Sequence, residues 1–269
     1  MYNNGSFPEE TESVQGIETD MNTDINTDAN ANEDSKEETY KVQRKKRAPL
    51  MSSTQFWTAF IKSVLAGVMI TIGLIAYFRI TNKVLGSIAF SISFFVIYSY
   101  GLTLYNDKVG YSLSKGASKN LLLIPIWIGN LTGTLLTGYA LQLTRLSKTV
   151  AKRALTLANT RLTDNIWSIL IMAFFCGIVM FVSADTFKNA SNSIQKYIAV
   201  FLPAVVFMLC GFEHCVVDMA IFTLSRAWKV KSVWSIIVVT IGNAAGALLI
   251  PICHSAIKSI NVKKTAKQQ

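Results

Sequence analysis

The sequence predicts an all-α integral membrane protein with six transmembrane helices, arranged as two inverted repeats of three helices. Three observations support this: long apolar segments, a motif shared by the third and sixth segments, and polar interruptions in the second and fifth. Of the 269 residues, 51% are hydrophobic and 16% are charged, and the mean hydropathy is +0.37. These values are unlike those of a disordered chain or an ordinary water-soluble domain.

Six apolar segments follow Pro49, and each approaches the ~20 residues that a helix needs to cross hydrocarbon. Backbone groups cannot hydrogen-bond to water there, so these segments are predicted to be helices. The predicted spans are 60–80, 85–105, 121–143, 166–184, 198–224 and 233–257. An even number of spans puts both termini on one side, which we expect to be the cytoplasmic side of the plasma membrane.

The segments outside the predicted transport domain, 49–258, are polar. Residues 1–48 are rich in Asn, Asp, Glu and Thr, which predicts a disordered cytoplasmic tail. The tail ends in five basic residues (Lys41, Arg44, Lys45, Lys46 and Arg47), which favour contact with lipid headgroups rather than nucleic acid. Residues 259–269 form a second basic tail. The acidic tail is either a pH-sensitive gate or simply solvated.

The domain itself is basic. From Pro49 onward, the domain and the tail that follows it together contain 20 Lys and Arg residues and five acidic residues. Five of the basic residues fall in the loop predicted between spans three and four, on the outer side: Arg145, Lys148, Lys152, Arg153 and Arg161. We expect them to form a funnel that concentrates anions near the entrance.

An internal repeat is visible in the third and sixth spans. Span three contains Gly129-Asn130-Leu131-Thr132-Gly133, and span six contains Gly242-Asn243-Ala244-Ala245-Gly246. Small residues four apart let helices approach closely in lipid. Because each copy has three spans, the second must be inverted, as in many transporters. Packing alone also explains the motif.

Spans two and five are interrupted at matching places. Their apolar runs end at Gly101 and Gly211, which lie 28 and 31 residues before the respective repeat motifs. Glycine and polar groups at membrane depth are typical of broken helices that line a cavity.

The second interruption carries the ionisable residues Glu213, His214 and Asp218. Such residues inside a membrane are rare and are candidates for function, although a purely structural cluster is the alternative. His214 and Asp218 lie one helical turn apart, so a metal site with Glu213 is conceivable, but no HExxH motif is present. Four scattered cysteines indicate neither a disulfide framework nor a zinc site. We expect no metal and no cofactor.

The string GFEHCVVDM at 211–219 resembles the GFEHxxxNM signature of the formate/nitrite transporter family. With both GNxxG motifs and six spans, the resemblance covers about residues 56–258. It implies an aquaporin-like protomer, a homopentamer with one pore in each subunit, and transport of small monovalent anions or their acids, such as formate, nitrite, hydrosulfide, acetate and lactate.

The resemblance also implies site residues. His214 matches the central pore histidine and Phe207 a pore-narrowing aromatic. Leu104 and Tyr105 would form the inner constriction, and Phe90 and Phe94 would join Phe207 in the outer one. Asn130, Asn243 and Glu213 would give polar or packing support. Three positions depart from the family pattern: Thr103 replaces an acid, Asn106 replaces the Thr that partners the histidine, and Asp218 replaces an Asn. The family's fourth-span Lys has no clear counterpart, and Asn165 falls near its place.

Desolvation favours passage of the neutral acid. A bare carboxylate costs on the order of 20 kcal/mol to move into a dry neck in an idealised treatment, and several kcal/mol after relaxation. Protonating an acid of pKa about 4 at pH 7 costs only roughly 4 kcal/mol. His214 either relays the proton, as its ordinary pKa of ~6.5 allows, or stays neutral and donates a hydrogen bond with Asn106.

Two other classes of function fit the sequence less well. An aquaporin-like channel for water or small neutral solutes is the nearest alternative, although Asn-Pro-Ala boxes are missing. A membrane-embedded enzyme is not expected, because the chain has no nucleophile elbow, metal motif or nucleotide loop.

Overall fold

The computed structural model describes residues 51–114 and 120–266, with side chains described to residue 261. The predicted acidic tail and its basic cluster lie outside the described residues, as do residues 115–119 and 267–269. The described part contains α-helices and short turns and no strand, which confirms the all-α fold class.

The helices follow one another along the chain in two sets that match the predicted repeats. The first set contains α1 (Ser53–Arg79), α2 (Lys83–Ser99), α3 (Tyr105–Val109) and α4 (Leu123–Gln142). A connecting helix, α5 (Ser147–Thr163), comes next. The second set contains α6 (Ile166–Asn189), α7 (Ser193–Cys210), α8 (Cys215–Leu224) and α9 (Val230–Ala266).

The membrane-spanning character of the helices is uneven. Four of the described helices, α1, α6, α7 and α9, are long and apolar enough to cross a membrane. The helix of predicted span three, α4, has 20 residues, but Asn130 and its glycines and threonines lower its hydropathy. Predicted span two consists of α2 and α3, which are too short to span individually. The count of six spans therefore rests on the sequence and the repeat.

The interruptions predicted in spans two and five are confirmed. Gly101 and Gly211 have φ values of 60° and 69°, a left-handed conformation that glycine adopts without strain. No heavy atom would lie within 4 Å of an added Cβ at either position, so backbone conformation, not space, requires glycine there. Equivalent bonds then close the turns, since Leu102 N–H donates to Ile97 O at 2.8 Å and Phe212 N–H donates to Phe207 O at 3.2 Å.

Glycines of the repeat motif let pairs of helices pack backbone to backbone. In the first repeat an added Cβ at Gly133 would overlap the carbonyl oxygen of Val64 on α1. In the second repeat, a Cβ at Gly246 would overlap the carbonyl oxygen of Phe174 on α6. The packing predicted for GNxxG is thus present in both repeats.

The asparagine of each motif fastens the broken helix to its neighbours. Asn130 donates from Nδ2 to the carbonyls of Ser63 and Thr103, both at 2.9 Å, and accepts the N–H of Tyr105 at 3.0 Å. Because the first break lies beside α1 and α4, this one side chain ties all three together. Buried backbone groups that the break frees are satisfied in this way.

Asn243 makes equivalent bonds in the second repeat. Each partner in these bonds lies 110 positions after the corresponding partner of Asn130. Its Nδ2 donates to the carbonyls of Ala173 and Glu213, both at 2.8 Å, and its Oδ1 accepts the N–H of Cys215 at 2.9 Å. It also accepts a bond from Asn106 Nδ2 at 2.9 Å, which joins the two repeats.

We expect Gly246→Leu to destabilise the fold by about 3 kcal/mol or more, because the side chain would force the backbones of α9 and α6 apart. Thermal unfolding in detergent, followed by tryptophan fluorescence, measures the effect. The matched control is Ala245→Leu, which adds the same side chain at the neighbouring exposed position. Equal unfolding temperatures for the two variants would contradict the packing argument.

We expect Asn243→Ala to cost several kcal/mol of unfolding free energy, since each buried group left unpaired costs about 1–3 kcal/mol. Asn130→Ala should cost less, because Asn130 makes three of these bonds and Asn243 makes four. The same unfolding assay applies, with exposed Asn159→Ala as the control. A stable Asn243→Ala protein would show that water or another group satisfies the break.

Candidate functional site

His214 packs against two phenylalanine rings, and a third ring packs against both of them. Phe90 and Phe94 come from α2 and Phe207 from α7, and all three are almost completely buried. The His214 ring lies 6.1 Å from the Phe94 ring and 5.8 Å from the Phe207 ring, measured between centroids. Phe90 closes the group, with centroids 5.6 Å from Phe94 and 6.1 Å from Phe207. The predicted outer-constriction residues therefore lie together, and we call them the neck.

His214 is the N-cap residue of α8, which follows the second break. Its Nδ1 accepts the backbone N–H of Val216 at 3.2 Å. The side chain is completely buried, and its Nε2 has no hydrogen-bond partner within the described residues. Because Nδ1 acts as an acceptor, the neutral ring carries its proton on Nε2. The neck therefore contains a buried N–H donor that no group in the described part of the chain accepts.

The predicted inner-constriction residues lie at the first break. Leu104 precedes α3 and is fully buried, and it occupies the position that corresponds to His214 in the second repeat. Tyr105 begins α3 and is half-buried. Thr103 is buried and takes part through its carbonyl, which accepts from Asn130.

Asn106 is placed between the two repeats. Its Nδ2 donates to Asn243, and its Oδ1 accepts a bond from Cys215 Sγ at 3.2 Å. Both ends of its amide are thus used, and no bond joins it to His214 among the described residues. The pairing of Asn106 with Cys215 shows how this departure from the family pattern is accommodated.

Glu213 and Asp218 share a basic partner that sequence analysis placed elsewhere. Arg161, near the end of α5, has its Nε at 2.7 Å from both Glu213 Oε2 and Asp218 Oδ1. The side chains of Arg161, Glu213 and Asp218 are 8%, 9% and 0% exposed. We call these three residues the charged triad.

The basic segment between spans three and four is a helix, so the expectation of an open loop with five available cations is wrong. Arg161 is buried in the charged triad. Arg153 donates to the carbonyls of Phe78 at 2.6 Å and Ile80 at 3.0 Å, where it completes the end of α1. Arg145, Lys148 and Lys152 are exposed.

Each break has a cavity beside it. The cavity at the first break has a volume of 380 Å³, and its wall includes Thr103, Lys62 and Lys108. The cavity beside the charged triad has a volume of 110 Å³, and its wall includes Arg161 and Lys231. The two cavities lie at corresponding places in the repeats, as the entrances of an inverted-repeat pore would.

Sequence analysis missed two polar interactions at the breaks, which are the bond between Tyr98 and Asp107 and the contacts of Arg161 in the charged triad. Tyr98 donates its hydroxyl proton to Asp107 Oδ1 at 3.1 Å, which ties α2 to α3. For Arg161, a signal was present: it continues a stripe of buried residues on α5 formed by Val150, Ala154 and Ala158, at helical spacing. That stripe predicts a helix with an arginine on its packed face.

Comparisons with known structures identify proteins of similar fold. A pentameric formate channel with formate bound has a similar structure, with a TM-score of 0.65 and 18% identity over 77% of this chain and 99% of its own. A second structure, an FNT family ion channel, has a TM-score of 0.64 and 17% identity over 72% and 87% of the two chains. Comparison with curated proteins finds no match.

The formate/nitrite transporter family matches residues 37–256, most of the chain. Its members and the structural neighbours are channels and transporters rather than enzymes. With the apolar helices and the paired breaks, this match shows that the chain is an integral membrane protein of the formate/nitrite transporter family.

Proposed function

We propose that the protein carries small monovalent anions across the membrane as their neutral conjugate acids, and that these cross the neck beside His214. Candidate substrates are formate, nitrite, acetate, lactate and hydrosulfide. The observation that carries the proposal is the buried Nε2–H of His214, which has no acceptor among the described residues and belongs to a ring packed against the phenyl groups of the neck. A donor in apolar surroundings binds an oxygen of a small acid, while the rings exclude water.

The apolar wall favours the neutral form of the cargo. Burying an unpaired carboxylate costs several kcal/mol even after the protein relaxes, whereas protonation at pH 7 costs roughly 4 kcal/mol for an acid of pKa about 4. One hydrogen bond from His214 then compensates the acid for part of its lost hydration.

His214 acts as a hydrogen-bond donor in this proposal. Its single ring proton is on Nε2, since Nδ1 accepts from Val216. If that proton left, the ring would be an anion in an apolar site, which is prohibitive. A proton could reach Nδ1 only after its bond to Val216 breaks, so the proton that neutralises the cargo comes from another group or from water.

The proposal also includes the oligomeric state of the protein and its orientation in the membrane. One structural neighbour is a pentameric formate channel, and large apolar side chains such as Ile171 and Phe175 are exposed on α6. We therefore expect a homopentamer in a plasma membrane, surrounded by lipid, with a pore in each protomer. With both termini cytoplasmic, the first break faces the cytoplasm and the second faces outward. Residues 1–48, 49–258 and 259–269 would then be tail, transport domain and tail.

Two assays on the same proteoliposomes distinguish the proposal from a water or neutral-solute channel. Uptake of radiolabelled formate should rise as the external pH falls, while osmotic swelling in sorbitol should match that of empty vesicles. Sorbitol swelling without formate uptake would favour the neutral-solute channel. A steady current carried by formate anion and independent of pH would also contradict the proposal.

We expect His214→Phe to lower acid-driven formate uptake by about 2-fold to 10-fold, because a hydrogen bond between His214 and the neutral cargo is worth about 0.5–1.5 kcal/mol. Initial uptake rates of radiolabelled formate measure the effect. His254→Phe is the matched control, since His254 is exposed on α9 and remote in sequence from the neck. Unchanged uptake by His214→Phe would remove the assigned role.

We expect Phe94→Ala to admit larger acids, because it removes one ring of the neck. The ratio of lactate to formate uptake should rise severalfold above that of the unmodified protein. Phe95→Ala is the control: its ring packs on Tyr197 and Phe201, at 5.7 and 6.0 Å between centroids. If both variants keep the original ratio, Phe94 does not limit the width of the pathway.

A further inference from the structure

The charged triad at the second break has a hydrogen-bond deficit that its protein partners do not fill. Arg161 Nε carries a single hydrogen, and the geometry directs it to Asp218 Oδ1 at 2.7 Å. Arg161 also donates from Nη1 to Leu157 O at 3.3 Å. Glu213 Oε2 and Asp218 Oδ2 are buried, and neither has a hydrogen-bond partner in the part of the chain that the structure describes.

The triad also has a charge deficit. With both carboxyl groups ionised, two negative charges would face one guanidinium, and one negative charge would remain uncompensated in a nearly dry site. Ionised carboxylates only accept hydrogen bonds, so neither group could satisfy the other. Each buried acceptor left unpaired costs about 1–3 kcal/mol, and more when it is charged.

A single proton removes both deficits. Both carboxyl groups lie against the same Nε, at 2.7 Å, and they are close enough to hydrogen-bond to each other. A proton placed on either group makes that group a donor to the other. The triad then has no net charge.

We propose that Glu213 and Asp218 share one dissociable proton beside Arg161, so that the second break contains a neutral proton-binding site one residue from His214. The site itself does not depend on the proposed transport function, but its use in transport does. Among the described residues, the other charged or titratable groups near it are Asp164 before α6, Lys231 on α9, Cys176 on α6, Cys215 on α8 and Tyr77 on α1.

In transport this site supplies the proton that His214 cannot. An anion that reaches the second break takes the proton from the Glu213–Asp218 pair, which forms an O–H bond on the cargo and leaves the pair with both groups ionised. The neutral acid then enters the neck past His214. Water in the adjacent 110 Å³ cavity returns a proton to the pair, and movement of cargo the other way reverses each step.

Infrared spectroscopy of the reconstituted protein tests the shared proton directly. A protonated carboxyl group has a C=O stretching band that an ionised carboxylate lacks, and the band shifts in heavy water. At neutral pH we expect one such band to be lost in Asp218→Asn, whose amide can donate to an ionised Glu213. Glu213→Gln should lose the same band. Arg161→Met should gain a second one, since both carboxyl groups then need protons.

Asp185→Asn is the matched control, because Asp185 accepts a bond from the Tyr111 hydroxyl at 2.7 Å, outside the triad. Its spectrum should keep the band. If Glu213→Gln does not fold, Asp218→Asn and Arg161→Met decide the question. A band of equal size in the unmodified protein and Asp218→Asn overturns the proposal.

A transport measurement separates this inference from the proposed function. In Asp218→Asn, the dependence of formate uptake on external pH should shift by about one unit or more relative to Asp185→Asn. Vesicles that show the infrared band but carry no weak acid would leave the shared proton in place and refute the proposed function. Vesicles that carry formate without the band would refute the shared proton alone.

Discussion

The fold depends on how two broken helices are satisfied where water is scarce. A helix that stops inside a membrane leaves N–H and carbonyl groups without partners, and each would cost free energy in hydrocarbon. Asn130 and Asn243 supply those partners from neighbouring helices, with bonds of 2.8–3.0 Å. The glycines beside them bring the helices close enough for a short side chain to reach. One five-residue motif thus provides both the close approach and the polar contact.

The second break in turn determines how His214 is placed in the neck. Because the second break ends in an N-cap, His214 is held by its own helix through Nδ1, and its Nε2 has no hydrogen-bond partner among the described residues. Phe94 and Phe207 pack against the same ring and add apolar contacts to that bond. This arrangement separates two tasks. In the proposed function, the neck selects by polarity and width, and proton exchange belongs to the charged triad.

Local features of the sequence were sufficient to predict the elements. The length of the apolar segments predicted the helices, and Gly101 and Gly211 predicted the breaks. Both predictions are possible because hydropathy and a left-handed φ are properties of short segments. Helix limits were less accurate: α1 begins at Ser53 and not near residue 60, because its first turns are polar or exposed. The neck residues followed from a motif resemblance, and the structure brings them together.

Long-range pairing could not be predicted in the same way. Arg161 lies 57 residues from Asp218 along the chain, so nothing local connects the two charges. Because Arg161 was grouped with its exposed basic neighbours, it was assigned to a surface funnel. Its spacing from Ala154 and Ala158, however, indicated that it lies on the packed face of a helix. The contact of Asn106 with Cys215 and Asn243 likewise depends on how the two repeats meet, which a motif in one repeat does not specify.

The two repeats match in backbone but not in charge. Lys108 at the first break corresponds to Asp218 at the second, and Thr103 corresponds to Glu213. One entrance is therefore lined by ammonium groups and the other by a carboxyl pair with its arginine. This difference in charge between the two breaks cannot set the direction of net solute transport, which depends only on the solute and proton gradients. In the proposed transport pathway, this difference acts on kinetics instead. The two faces of the membrane would load the same passage at different rates, so half-saturation from one side need not equal half-saturation from the other.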